Sequence, residues 1–201
     1  MKILYILGLT GGISCGKSAV AETLRRYVGA TTLDIDKITR WLTEPGGELF
    51  EIYVRHFGKE VITDEGYLDR KKIGEIIFNQ PDEREWINSV AHPILLNHAR
   101  NFLVECSEAG AGLVVLEVPL LFEAGWEHLF DEIWAVYTKK KFQLMRLMAR
   151  DKLTWQQARA RIKSQMSQEE IRSRADASIR NVGGYGETRR QVFAALRGRK
   201  F

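Results

Sequence analysis

The stretch Gly8-Leu9-Thr10-Gly11-Gly12-Ile13-Ser14-Cys15-Gly16-Lys17-Ser18 decides the fold. Residues 11–18 match G-x-x-x-x-G-K-[ST], a spacing that phosphate binding requires. Glycines let the backbone wrap so that its N–H groups turn inward toward phosphate oxygens. A helix opening near Lys17 adds the positive end of its dipole, and Ala19 continues its first turn. Lys17 is then placed to reach the β- and γ-phosphates, and the Ser18 hydroxyl to ligate magnesium. An ordinary glycine-rich turn is the bland alternative, and the flanks weigh against it. Ile3–Leu7 is an apolar run that reads as a buried strand. Lys17–Val28 carries Ala19, Val20, Thr23, Leu24 and Tyr27 at helical spacing.

Working outward, Thr31–Leu33 is a short β-branched run ending at Asp34, a second strand. Residues 36–110 carry no strong strand signal. Leu49, Ile52, Tyr53 and Phe57 follow a helical period, as do Ile73, Ile76 and Ile77, with breaks at Pro45-Gly46-Gly47 and Pro81-Asp82. Gly112–Val118 reads as a buried strand ended by Pro119, and Glu132–Tyr137 as another. Residues 139–174 are charged and helical. Asp176–Ile179 reads as a last short strand, followed by a helix to about Leu196. Strands alternating with helices predict an α/β protein: a P-loop NTPase fold with a parallel sheet flanked by helices.

The 201 residues suit one domain or one core with insertions. Apolar residues at 45% and charged residues at 28% exclude a collagen-like or wholly disordered chain. No apolar run approaches the ~20 residues of a membrane helix, so no membrane partner is expected. The start, Met1–Leu7, runs into the glycine-rich turn rather than a cleavage site, and reads as strand rather than signal segment. Two cysteines, Cys15 and Cys106, are too few for a disulfide scaffold and suggest a reduced, cytoplasmic setting. His56, His98 and His128 lack ligand spacing, and no zinc site is expected. Trp126, Trp134 and Trp155 read as packing residues.

The net charge of +4 hides a split. Residues 1–138 hold 13 Lys+Arg and 21 Asp+Glu, net −8; residues 139–201 hold 17 and 5, net +12. The basic third implies a polyanionic partner, nucleic acid or a small polyphosphate, unless it is a solvated arginine-rich face. No Asn-Lys pair occurs, which weighs against a guanine-reading GTPase. A small kinase fits the size, the helical stretch and the late arginines. Asp34 ends the second strand, where strand C-termini face the ligand crevice. It could take the proton of an attacking hydroxyl, or Asp34 or Asp36 could simply cap the next helix. His92, before Pro93, could contact a substrate or hold a turn.

Further residues carry a resemblance. Gly8–Ser18, Asp34-Ile35-Asp36, Glu44-Pro45-Gly46, Leu68-Asp69-Arg70, Ile77-Phe78, His92-Pro93, Val118-Pro119-Leu120-Leu121-Phe122-Glu123, Gln165-Met166-Ser167, Ala175-Asp176 and Asn181 occur in that order. Together they resemble the dephospho-CoA kinase family over nearly the whole chain. The resemblance implies transfer of the ATP γ-phosphoryl, with Mg²⁺, to the ribose 3′-hydroxyl of dephospho-CoA. It implies Asp34 as general base, with Asp36, Arg70, His92, Pro119, Leu120, Leu121 and Glu123 on the acceptor side. Arg146 and Arg150 fall where a lid supplies arginines to the phosphates, and Asn181 lies in the stretch expected near the adenine.

The implied layout is one kinase unit. Its core covers about 1–35, 111–138 and 176–201, with a helical acceptor insertion at about 36–110 and a lid at about 139–175. A monomer or small homo-oligomer is expected, with no nucleic-acid partner. The family usually has Gly-Ser where this chain has Ser14-Cys15, which puts the tight backbone there in question. The rival readings are another small nucleotide or nucleoside kinase and, further off, a nucleic-acid-binding ATPase.

Overall fold

Strands β1 (Tyr5–Thr10), β2 (Thr31–Asp34), β3 (Leu113–Glu117), β4 (Glu132–Tyr137) and β5 (Ala177–Arg180) form one parallel sheet in the order β2-β3-β1-β4-β5. The computed structural model describes residues 4–199. Ile3, read above as the start of the first strand, lies outside the described residues, as do Met1, Lys2, Lys200 and Phe201. Every residue of β3 is buried, as expected of a strand covered on both faces. That is why Gly112–Val118 reads as an unbroken apolar run apart from one glutamate.

Helix α1 (Lys17–Val28) follows β1 through the glycine loop. Val20, Ala21 and Leu24 face the sheet, where they join Leu7, Leu9, Val115, Trp134, Val136 and Ile179 in one apolar core. Leu24 has no exposed surface, and its truncation to alanine would cost about 3 kcal/mol. The helix ends at Gly29, whose φ of 76° turns its N–H back onto Leu24 O. Tyr27, placed on the buried face by its spacing, is instead 43% exposed and stands edge-on to Phe193.

The chain divides into two compact units, residues 1–34 with 103–201, and residues 35–102. The second is helical: α2 (Ile35–Leu42), α3 (Glu48–Phe57), α4 (Arg70–Asn79) and most of α5 (Pro81–Glu108). Asp69 caps α4 by accepting from Lys71 N and Lys72 N, both at 3.0 Å. Pro81 separates α4 from α5 but breaks nothing inside it. It is the first residue of α5, where a missing N–H costs no hydrogen bond. The His56 ring stacks on Trp86 at 3.5 Å and meets Glu83 at 2.7 Å, which joins α3 to α5.

The sheet-bearing unit also holds the charged stretch, as α6 (Lys140–Asp151), α7 (Trp155–Lys163) and α8 (Gln168–Arg174), and ends with α9 (Tyr185–Ala195). Trp126 and Trp134 are buried, as packing residues should be. Trp155 is not: it is half-exposed at the start of α7, with the Arg159 guanidinium over its ring at 5.1 Å.

Candidate active site

The loop between β1 and α1 is shaped by positions where only glycine fits. Gly11 has a φ of 143°, and a Cβ there would lie 2.1 Å from Val136 O. Gly16 has a φ of 94°, and a Cβ would lie 1.8 Å from Asn181 Nδ2. Ser14 also adopts the left-handed region, at φ 57°. The tight backbone is therefore kept without glycine, at a cost of about 1 kcal/mol. The Ser14 hydroxyl does nothing to offset this, since its Oγ is buried without a hydrogen-bond partner. Gly16, preceding α1, offers no side-chain cap, and the first turn holds no acid. The positive end of the dipole is left for an anion.

Lys17 Nζ donates to Gly11 O at 2.7 Å, so its charge lies over the loop. Ser18 Oγ donates to Glu117 Oε2 at 3.1 Å. Glu117 was not among the residues singled out from the sequence. It is buried at the end of β3, in register with Leu9 of β1 on one side and Asp34 of β2 on the other. The signal was a lone carboxylate in an otherwise apolar strand. Asp34 is half-buried, ends β2 and immediately precedes α2, so it stands both at the strand's ligand-facing end and at a cap position. A hydroxyl and two carboxylates thus share the C-terminal edge of adjacent strands beside the loop.

Four side-chain amides hold the loop; Gln143 and Gln168 were not singled out in the sequence, and Gln165 was quoted there only as part of a motif. Ile13 N–H donates to Gln165 Oε1 at 2.9 Å, and Ile13 O accepts from Gln143 Nε2 at 2.9 Å. Gln168 Nε2 donates to Gln143 Oε1 at 3.1 Å, while Gln168 Oε1 accepts from Thr138 N at 2.8 Å and from Cys15 Sγ at 3.3 Å. Asn181 is the fourth: its Nδ2 donates to Cys15 O at 3.0 Å, and its buried amide is engaged with the loop backbone. Burial pushes the Cys15 thiol up to about 11.

The two arginines expected in a lid part company. Arg146 Nη2 donates to Asn181 O at 3.3 Å, and its Nη1 is buried without a partner beside Gly16. A guanidinium N–H left over at the loop is a fitting donor for a phosphate oxygen. Arg150, one turn on, is exposed and forks onto Asp151, at 2.7 and 3.1 Å, a carboxylate that also takes Arg161. A cavity of about 550 Å³ reaches Gly12 and is lined by Lys139, Lys140, Lys163, Arg172 and Arg180, with Glu169 as the acid among them.

The remaining residues named above fall in two places. After β3, Pro119 O accepts from Thr10 Oγ1 at 3.4 Å, Leu121 is fully buried, Leu120 is exposed, and Glu123 Oε1 accepts from Met166 N at 3.3 Å. In the helical unit, Asp36 is exposed in the first turn of α2, and Arg70 Nη2 donates to Thr43 Oγ1 at 2.9 Å and Arg40 O at 3.3 Å. His92 is half-buried inside α5, so it holds no turn, and burial pulls its ring below the usual histidine range.

A parallel sheet in this order, with a glycine-lysine-serine loop leaving its middle strand for a helix, defines a P-loop NTPase fold. Comparison with known proteins narrows the class. The family model for dephospho-CoA kinase matches residues 5–187. The dephospho-CoA kinase of Carboxydothermus hydrogenoformans is 40% identical over 98% of this chain and 95% of its own. Among solved structures, a Thermus thermophilus protein has a TM-score of 0.80 at 32% identity over 97% of each chain. Dephospho-CoA kinase from Campylobacter jejuni has a TM-score of 0.66 at 31% identity over 96% of each. The chain belongs to the dephospho-CoA kinase family, the enzymes of the last step of coenzyme A synthesis.

Proposed function

We propose that the chain binds MgATP on the 11–18 loop and moves its γ-phosphoryl to the ribose 3′-hydroxyl of dephospho-CoA, in a cytoplasmic setting. The observation that supports this most directly is the Ser18–Glu117 pair at 3.1 Å beside Lys17, with Asp34 in register with Glu117. Loop N–H groups and Lys17 would take the β- and γ-phosphates. Arg146 would offer its unpartnered Nη1 to the same charge. The Ser18 hydroxyl and the Glu117 carboxylate are hard oxygens that suit Mg²⁺. Bound there, the ion would neutralise charge on the phosphates. Asp34 would accept the proton of the attacking hydroxyl.

The basic cavity by Gly12 has the size of a small-molecule site and the charge to suit ATP. Arg70 and His92 are assigned to the acceptor. The test is ADP release over dephospho-CoA, AMP, CMP, dTMP, adenosine and pantothenate. Dephospho-CoA should be the fastest acceptor. Adenosine offers a ribose hydroxyl without the arm, so it should lose turnover as well as affinity. Faster phosphorylation of a monophosphate would leave the kinase fold standing and overturn the acceptor.

A further inference from the structure

The phosphate loop contains a contradiction that its own residues do not resolve. Ser14 sits at φ 57° without glycine's freedom, and its hydroxyl has no partner with which to hold that shape. Left to itself, such a residue relaxes to negative φ and takes the loop with it. Its two neighbours, however, are held on every side. Ile13 is gripped at its N–H by Gln165 and at its C=O by Gln143. Cys15 is held at its N–H by Gly12 O, at its C=O by Asn181, and at its thiol by Gln168.

The polarity of this network is fixed by the backbone at both ends. Thr138 N–H can only donate, so Gln168 faces it with oxygen and turns its NH₂ to Gln143. Gln143 then receives with oxygen and turns its NH₂ to Ile13 O, which can only accept. No amide in the chain can flip without breaking two bonds. Gln143 is buried in α6, Gln165 lies between α7 and α8, and Gln168 opens α8. Three of the four side chains that hold the loop therefore come from the stretch from α6 to α8, and the fourth, Asn181, follows β5.

We propose that Gln143, Gln165 and Gln168 are positioning residues that keep the loop in its ATP-receiving shape against the left-handed serine at its centre. The proposal rests on ATP being the loop's ligand. It makes the stretch from α6 to α8 a part of the nucleotide site even before nucleotide arrives, because ATP meets a loop already bent. The amides touch the loop and line the cavity assigned to ATP, so their loss should be felt in one substrate only, and a Ser14→Gly background separates holding the loop from touching the nucleotide.

The experiment is ATP binding by calorimetry, with KM for each substrate, on wild type, Gln143→Leu and Gln165→Leu. Each variant is checked for fold by circular dichroism. ATP affinity should fall about tenfold in Gln143→Leu and about fivefold in Gln165→Leu, as expected for one or two net hydrogen bonds. The KM for dephospho-CoA should move less than about twofold. Repeating Gln143→Leu in a Ser14→Gly background should shrink its loss to less than about threefold, because glycine takes positive φ freely. Gln165 is only half-buried, so its variant should fold even where the Gln143 variant does not. ATP affinity within twofold of wild type in a folded variant would overturn the proposal. So would an equal loss for both substrates, or an undiminished loss in the Ser14→Gly background. A wild type that binds no ATP would instead overturn the functional reading.

Discussion

Asp34 ends a strand beside the loop and precedes a helix, so the proposed proton transfer and a capping role meet in one residue. Asparagine caps as well as aspartate but takes no proton. Asp34→Asn should lower kcat on the order of a hundredfold with little change in the KM for ATP, measured by steady-state ADP release. A nearly silent variant would leave Asp34 a cap. Glu117→Gln should retain the Ser18 contact and raise the magnesium needed for half-maximal rate about tenfold, because a neutral amide serves the ion poorly. The placement of Lys17 and Ser18 at the start of a helix after the loop, and of Asp34 at a strand end, was legible because motif spacing and strand ends are written in sequence. Glu117 was harder, since a carboxylate inside an apolar run looks like an interruption until the neighbouring strand supplies Ser18. Gln143 and Gln168 were harder still, because the main-chain groups that the glutamines hold lie 30 to 152 positions away and carry no side-chain signature.

Among the elements, α6 shows what periodicity conveys and what it omits. Arg146 and Arg150 are four apart and so share a face in principle. Asp151, which also takes Arg161, then draws Arg150 into a surface ion pair, while Arg146 turns to the loop. Arg146→Lys should accordingly cost about tenfold in kcat/KM, and Arg150→Lys less than about threefold, a contrast one set of initial rates would show. Helix α7 is held by a capping box in which Thr154 and Gln157 satisfy each other's backbone N–H. Thr154→Ala should cost about 1 kcal/mol, or about 2–4 °C in Tm, by thermal melt. The β-α alternation, the order of elements and the span of α1 were readable because buried strands and amphipathic helices differ in period. The extent of α5 was not. Pro81 read as a break, yet it starts the helix, and Pro93, beside a histidine that could have held a turn, lies within it.

At the scale of the whole molecule, the far edge of the sheet is fastened by charge. Tyr5 Oη and Arg199 Nε both donate to Glu132 Oε2, at 2.8 and 2.6 Å, which joins the first strand, the fourth and the chain after α9. Burial pushes the Glu132 carboxyl up, but Arg199, Trp134 and Tyr5 together bring it below its ordinary 4.5. As pH falls the unfolded chain takes that proton first. The pair's contribution is therefore full above about pH 4.5 and is lost as pH drops through the folded value. Glu132→Gln should be less stable than wild type at pH 7 in urea melts, with the difference shrinking below pH 4.5.

Elsewhere in that unit lies a natural chemical probe. Cys15 has no exposed surface and a thiol pushed up to about 11, so a thiol reagent at pH 8 meets neither access nor thiolate until the loop opens. In a Cys106→Ala background, the labelling rate of Cys15 would count loop openings one molecule at a time. It should fall as ATP fills the site, far below any denaturant concentration that unfolds the sheet. A rate indifferent to ATP would mean that the thiol is reached only through global unfolding. A buried cysteine in the phosphate loop thus turns the loop's motion into something a spectrophotometer can time.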